Sequence, residues 1–224
     1  MTQISDICDR YTHAVFNTDQ DTAQDTIYQA LNEGLLAEEL VFNVILPSLE
    51  NMLETLVQND NATLSQHFIA AKVSSAMVEM LLPKFSGTAH ANGVVVIGTA
   101  RGDFHGLGKK IVSGCLTANL FTVYDVGLNV QPERFVQEAL QKNASVIAVS
   151  SMMMHTAIGD DGPKRIKKLL QDRQLTDRIK LIVGGAPYRF DDKLYRDVNA
   201  DATALDALSS VAVFKHLVQE VRHA

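Results

Sequence analysis

Asp103 and His105 lie two residues apart in the stretch Thr99-Ala-Arg-Gly-Asp-Phe-His-Gly-Leu-Gly-Lys-Lys110, directly after the apolar run Gly93-Val-Val-Val-Ile-Gly98. An acid and an imidazole at that spacing, among glycines, suit three chemistries: a phosphate-cradling turn, an acid–base pair, or a metal-binding histidine oriented by a carboxylate. The phosphate reading fails in detail. A Walker loop needs a glycine five positions before the one preceding its lysine, and a Ser or Thr after that lysine; Asp103 and Lys110 stand there instead. The dinucleotide fingerprint fails as well, because Gly102, Gly106 and Gly108 are wrongly spaced and Asp103 would repel a pyrophosphate. For a metal, one nearby carboxylate is what a ligating histidine needs, since it fixes the tautomer and ring orientation. The plain alternative is a capping pair, with Asp103 bonding N–H groups at a helix start near Gly106 and His105 merely exposed.

The surrounding sequence has two grammars. Up to about Ser86 it is helical: Asp19–Glu33 ends at Gly34, which takes the left-handed turn of a helix C-terminus easily. Phe42, Ile45, Leu46, Leu49, Met52, Leu53 and Leu56 form one stripe on a helix over Leu40–Leu56, with Pro47 placed to kink it. A further helix starts near Asn61–Thr63 and runs to Leu82, before Pro83. With the helical residues ahead of Asp19, four helices of this size suit a small bundle. After the loop Phe85–Asn92 come short apolar runs at Val94–Ile97, Phe121–Val126, Val146–Val149, Ile179–Val183 and, more weakly, Ala202–Ala204. They lack alternation, as parallel strands covered on both faces do. Helices are expected between them at Gly106–Asn119, Pro132–Lys142, Pro163–Gln171 and Phe190–Val198, with Leu205–Arg222 last. The fold class is therefore α/β: an N-terminal helical bundle over residues 1–90, then a five-stranded doubly wound parallel sheet of the Rossmann or flavodoxin type over 91–224.

In such sheets ligands gather beyond the carboxyl ends of the strands. Those ends carry the Asp103 loop, then Tyr124-Asp125 and Gly127, then Ser150-Ser-Met-Met-Met-His155, then Gly184-Gly-Ala-Pro187. A phosphoacceptor receiver domain would want an aspartate ending the third strand, where Ser150 stands. The loop offers one histidine, so a zinc site built from three or four protein ligands is not implied. The other ligands would come with the metal, and a macrocycle filling four equatorial positions satisfies that count.

Whole-chain properties narrow the class. The 224 residues are 46% apolar, enough for a sizeable core without disulfide staples. Two cysteines, Cys8 and Cys115, favour a reducing interior. A net charge of -6 argues against a nucleic-acid surface, and the basic cluster Lys164, Arg165, Lys167 and Lys168 reads as a solvated helix face. The first residues lack a basic region followed by an apolar stretch, and no window reaches the 18 apolar residues of a membrane span, so a cytoplasmic protein is expected.

Asp103-Phe104-His105-Gly106-Leu-Gly108 resembles the D-x-H-x-x-G signature of cobalamin-binding domains, as found in methionine synthase and in the corrinoid proteins of anaerobic methyltransferase systems. Two further elements of that family occur in order: Ser150-Ser-Met152 at the place of S-x-L, and the double glycine Gly184-Gly185, a few residues later than is usual. The resemblance covers most of the chain and is nearest to the methyl carriers in Gly102-Asp-Phe-His, Gly108-Lys-Lys-Ile-Val112, Val123-Tyr-Asp-Val-Gly127 and Val183-Gly-Gly-Ala-Pro187.

The resemblance implies roles. His105 would bind the cobalt of a cobalamin or related corrinoid from below, with Asp103 as hydrogen-bond partner, and the pair would titrate as a unit. The displaced nucleotide tail would run between the loops of Gly108, Ser150 and Gly184-Gly185, with Ser150 bonding its base, and the bundle would cap the upper face. The implied activity is methyl carriage on cobalt between a substrate-specific methyltransferase and a second methyltransferase, with a corrinoid-reactivating protein as a further partner. A cobalamin sensor and a scaffold that binds no corrinoid are the alternatives. Met152 replaces the usual leucine, and Met152–Thr156, with Met154 and His155, replaces the carriers' leucine-threonine run. His155 is expected to be a hydrogen-bonded loop histidine. Gln66-His67 resembles half of the sensors' cap motif, whose tryptophan is replaced by Leu56. Phe42, Met77 and Met80 are expected in the core.

Overall fold

Helix caps set the frame of the first ninety residues. The computed structural model describes residues 3–49, 51–52, 63–85, 92–191 and 193–223. Helix α1 spans Gln3–Phe16 and α2 spans Gln20–Asn32. Asp19 caps α2 by accepting the Thr22 N–H at 3.0 Å and the Thr22 hydroxyl at 2.7 Å. Gly34 follows with φ +94.

Ala37–Leu40 (α3) passes into a π-helical turn, Val41–Ile45, before helical structure resumes through Leu49. The widened turn sits just ahead of Pro47, which has no N–H for the Asn43 carbonyl and whose ring crowds it; the extra residue relieves that crowding where a kink was expected. The remainder of the expected helix, from Leu53 to Leu56, lies outside the described residues, as do Asn61 and the interior of the 85–92 loop. Helix α4 (Leu64–Leu81) opens on a capping box: Thr63 accepts the Gln66 N–H, and Gln66 Oε1 accepts the Thr63 N–H at 2.6 Å. Tyr11, Ile27, Leu40, Ile45, Met52 and Leu81 are fully buried among these helices.

The second half alternates strand and helix: β1 (Gly93–Thr99), α5 (Leu107–Ala118), β2 (Phe121–Asp125), α6 (Pro132–Gln141), β3 (Val146–Ser150), α7 (Met154–Ile158), α8 (Pro163–Asp172), β4 (Lys180–Gly184), α9 (Ala186–Phe190), α10 (Leu194–Asp197), β5 (Ala202–Ala204) and α11 (Ala207–His223). All pairings are parallel, in the order β2-β1-β3-β4-β5. The registers line up Thr99 with Ser150, Ser150 with Gly184, and Gly184 with Ala204, so the last residues of four strands stand in one row. Contacts divide the chain into two compact units, Met1–His90 with Gly114–Leu120, and Ala91–Ser113 with Phe121–Ala224.

Three expectations need correction. The helix expected over Phe190–Val198 is two short ones, α9 and α10, because Gly185 breaks the chain direction and Pro187 starts a helix early; Phe190 ends it, 88% exposed. Residues 154–158 form a helix where a loop was expected. Lys167 is not on a solvated face: it is buried against Asp201, with its Nζ at 2.7 and 2.8 Å from the two carboxylate oxygens.

Candidate functional site

In the order β2-β1-β3-β4-β5 the chain leaves β1 toward one edge and β3 toward the other, which opens a crevice between their carboxyl ends. The loops after β1, β2 and β3 meet there. Asp103 sits at the centre with its side chain wholly buried. Oδ1 accepts the His105 N–H at 2.9 Å and lies 3.0 Å from His105 Nδ1. Oδ2 accepts the Met152 N–H at 2.6 Å and faces the Thr156 hydroxyl at 3.0 Å. That hydroxyl also has the Met153 carbonyl within 2.8 Å, so its one proton is shared.

The loop is tied on its other side too. Ala100 donates its N–H to the Ser150 carbonyl at 3.0 Å, and the Thr99 hydroxyl donates to the Asp103 carbonyl at 2.6 Å. Gly102 has φ +80, a conformation that costs a side-chain-bearing residue strain, and its N–H reaches Asn129 Oδ1 at 2.7 Å.

Burial pushes the Asp103 carboxyl up. The Met152 N–H, the His105 N–H and ring, and the Thr156 hydroxyl together outweigh it and hold the group below its ordinary value, so it is an anion. The result for His105 is geometric. Its Nδ1 is engaged by the carboxylate, while the side chain is 58% exposed and Nε2 has no partner among the described residues. The capping alternative is half present, because Asp103 does bond a backbone N–H, yet the ring is held as well.

Around the imidazole the surface is apolar: Phe104, Leu107, Leu128, Met152, Met153 and Met154 are all exposed, Phe104 by 66%. Soluble surfaces rarely gather so many without a ligand to cover them. Ser150 ends β3 half-buried, and its hydroxyl has no hydrogen-bond partner among the described residues. Beside it the glycines divide into two kinds. A Cβ on Gly108 would stand in open space, with nothing within 4 Å, and one on Gly184 would make only an ordinary contact with the Ala204 carbonyl at 3.7 Å, so neither position is crowded. Gly185 is fixed by the chain itself: φ is +113, and a Cβ there would fall 2.0 Å from the Ser151 carbonyl oxygen. A Cβ on Gly106 would fall 2.9 Å from a Leu128 methyl.

These residues fit a corrinoid. Among the described residues no three His, Cys, Asp or Glu side chains converge to hold a metal, so His105 could contribute one ligand and the rest must arrive with the ion. A held Nδ1, an open Nε2, an apolar rim and uncrowded positions at Gly108 and Gly184 meet the needs of a large macrocycle with a tail.

Thr156 and Asn129 were not singled out from the sequence. A hydroxyl six residues after Ser150 becomes legible only once α7 folds Thr156 back onto Asp103, and Asn129 only as a turn residue with φ +51. His155 is exposed at the start of α7; its carbonyl accepts the Gly159 N–H at 3.1 Å, but its ring has no hydrogen bond among the described residues, so the bonded loop histidine expected there is not found. Gln66 spends its side chain on the Thr63 cap and on the Phe16 carbonyl at 3.0 Å. Met77 is in the core as expected, whereas Phe42 is 49% exposed on the π turn and packs edge-on against Phe85.

Residues 93–212 match the B12 binding domain family. The chain is 34% identical over 173 residues to dimethylamine corrinoid protein 2 of Methanosarcina mazei, covering 75% of this chain and 77% of that protein. It is 27% identical over 219 residues to monomethylamine corrinoid protein 1 of the same organism, covering 96% and 98%. The fold is shared with a solved methanol:cobalamin methyltransferase complex from Methanosarcina barkeri, at TM-score 0.75 and 17% identity over 97% of this chain and 84% of that one.

Proposed function

The chain belongs to the B12 binding domain family, and from that premise we propose that it is a corrinoid-holding methyl carrier serving a pair of methyltransferases. The observation that carries this reading is the Asp103–His105 pair, with Nδ1 engaged at 3.0 Å and Nε2 open on an apolar rim. A bound corrinoid supplies a cobalt centre able to accept a methyl group and pass it on.

The chain's residues do the rest. His105 would hold the cobalt through Nε2, and Asp103 would keep Nδ1 protonated and the ring in one orientation. The Asp103 carboxylate would hold the Nδ1 proton of His105 whether or not Nε2 carried a metal. Ser150 would offer its hydroxyl to the base of a corrinoid's nucleotide tail, and the uncrowded positions at Gly108 and Gly184 would leave room for that tail. Gly102, Gly106 and Gly185 hold the loops in the shape this requires. Phe104, Met152 and Met154 line the apolar rim and keep water from the lower face.

Residues 1–90 act as the corrinoid cap and residues 91–224 as the holding domain. The partners in this reading are a substrate-specific methyltransferase, a second methyltransferase and a corrinoid-reactivating protein, and the setting is cytoplasmic. No helix among the described residues is long and apolar enough to cross a membrane. The sensor alternative is disfavoured because Gln66 is committed to its helix cap and the chain contains no tryptophan.

Reconstitution with hydroxocobalamin tests the reading. The wild-type protein should retain about one corrinoid per chain through gel filtration, and His105→Ala should change the visible spectrum of the bound cobalt. A wild-type protein that emerges colourless overturns it. Genes for a methyltransferase and a reductive activator beside this one support a carrier; a lone regulatory gene would argue for the sensor.

A further inference from the structure

We propose that Asn129 is a positioning residue for the His105 imidazole, acting through the Asp103 main chain. The proposal rests on the reading of His105 as the corrinoid's protein ligand. Asn129 belongs to the loop between β2 and α6 and touches neither His105 nor the Asp103 carboxylate. It grips the main chain on both sides of Asp103 instead.

Its side-chain Oδ1 accepts the Gly102 N–H at 2.7 Å, which fixes the peptide unit just ahead of the Gly102–Asp103 bond. Its own N–H lies 2.9 Å from the Asp103 carbonyl and 2.9 Å from Thr99 Oγ1, and the Thr99 hydroxyl donates to the same carbonyl at 2.6 Å. The backbone of Asp103 is therefore anchored from the β2 side, while its carboxylate is anchored from the β3 side by Met152 and Thr156. With the backbone and both carboxylate oxygens fixed, the two side-chain torsions of Asp103 have one solution, and Oδ1 meets Nδ1 at one angle. Asn129 reaches this geometry at φ +51, a left-handed conformation that asparagine tolerates better than most residues.

Three variants separate aiming from folding. Asn129→Gly keeps the left-handed backbone and the N–H but removes Oδ1; Asn129→Ala removes Oδ1 and adds strain; Asn129→Asp keeps an acceptor for Gly102. Each is produced with 15N-labelled histidine, loaded with hydroxocobalamin and reduced by one electron. The two-line 15N splitting in the electron paramagnetic resonance spectrum then reports the protein's imidazole on cobalt, distinct from the three-line 14N splitting of the cofactor's own base and independent of any methyl transfer. The wild type and Asn129→Asp should show the imidazole bound. Asn129→Gly and Asn129→Ala should retain corrinoid but lose imidazole coordination by about ten- to hundred-fold, as other supports of metal-bound histidines do.

Wild-type splitting in Asn129→Gly would overturn the proposal, as would failure of that variant to fold, since the residue would then be holding the unit together and not aiming a ring. If the wild type itself shows no imidazole splitting, the role of His105 falls instead, and the two failures are told apart.

Discussion

The Asp103 carboxylate accepts the Met152 main-chain N–H at 2.6 Å, joining the loop after β1 to the loop after β3 across 49 residues of sequence. The same side chain that orients His105 is thus also the staple that closes the crevice between the two strands where the sheet order reverses. One residue with two jobs gives distinguishable consequences when it is changed.

Asp103→Asn replaces one acceptor oxygen with a donor NH2 group, and whichever way the amide turns, that group faces a main-chain N–H, of His105 or of Met152, that it cannot bond. The expected loss is about 2 kcal/mol of stability for the apoprotein at neutral pH, the cost of leaving buried donors unsatisfied. Because the folded carboxyl lies below the unfolded value of about 3.9, its contribution is complete above that pH and disappears as pH falls through the folded value. Urea melts of both proteins from pH 7 down to about 3 should therefore show the gap between them narrowing on the acid side. A gap that stays constant to the lowest pH would mean that the charge of Asp103 contributes nothing.

Thr156 supplies the other hydrogen bond to Oδ2, at 3.0 Å from a buried position. Thr156→Val keeps the shape and removes the hydroxyl, and should cost about 1.5–3 kcal/mol because the lost bond is to an anion. Thr156→Ser should recover most of it. Denaturant midpoints measure both; a Ser variant no more stable than the Val variant would show that the hydroxyl bond by itself does not hold the site together.

Much of this site was legible in the sequence, and the parts that were not have physical reasons. Unalternated apolar runs and turn glycines marked the five strands, and the parallel register then carries Ser150 and Gly184 into the same row at the carboxyl end of the sheet. Asp103 and His105 were readable because two residues of separation is local. Thr156, 53 residues away from Asp103, was hidden because its role depends on a one-turn helix that Met153 and Met154 do not advertise. Lys167 misled for the opposite reason: four basic residues in a row of five look solvated, and only the ion pair with Asp201 turns one of them inward.

The double glycine separates packing from ligand binding. Gly185→Ala places a methyl 2.0 Å from the Ser151 carbonyl at φ +113, so it should destabilise the α/β unit by about 3 kcal/mol or more whether or not corrinoid is present. Gly108→Ala meets nothing within 4 Å and lies in the first turn of α5, so it should leave stability unchanged or raise it by up to about 1 kcal/mol. If the corrinoid tail uses that open space, Gly108→Ala should nonetheless bind hydroxocobalamin more weakly. Thermal melts of the apoprotein alongside binding titrations distinguish the cases. Undiminished corrinoid binding by Gly108→Ala would remove the tail from this side of the crevice.

Lys167 and Lys168 are neighbours with opposite surroundings, and substituting each tests how far the buried pair matters. Lys167 Nζ lies 2.7 Å from Asp201 Oδ1, and Asp201 Oδ2 also accepts the Leu181 N–H at 2.7 Å, so the pair bolts α8 to the start of β4. Lys167→Met leaves a largely buried carboxylate without its cation and should cost about 2–3 kcal/mol, whereas Lys168→Met, on the exposed side, should change stability by less than about 0.5 kcal/mol. Adding Asp201→Asn to Lys167→Met removes the stranded charge while keeping an acceptor for Leu181. The double variant should therefore be more stable than Lys167→Met alone, since most of the single loss is the uncompensated charge and not the attraction itself. Losses that simply add would instead show that the two side chains act independently.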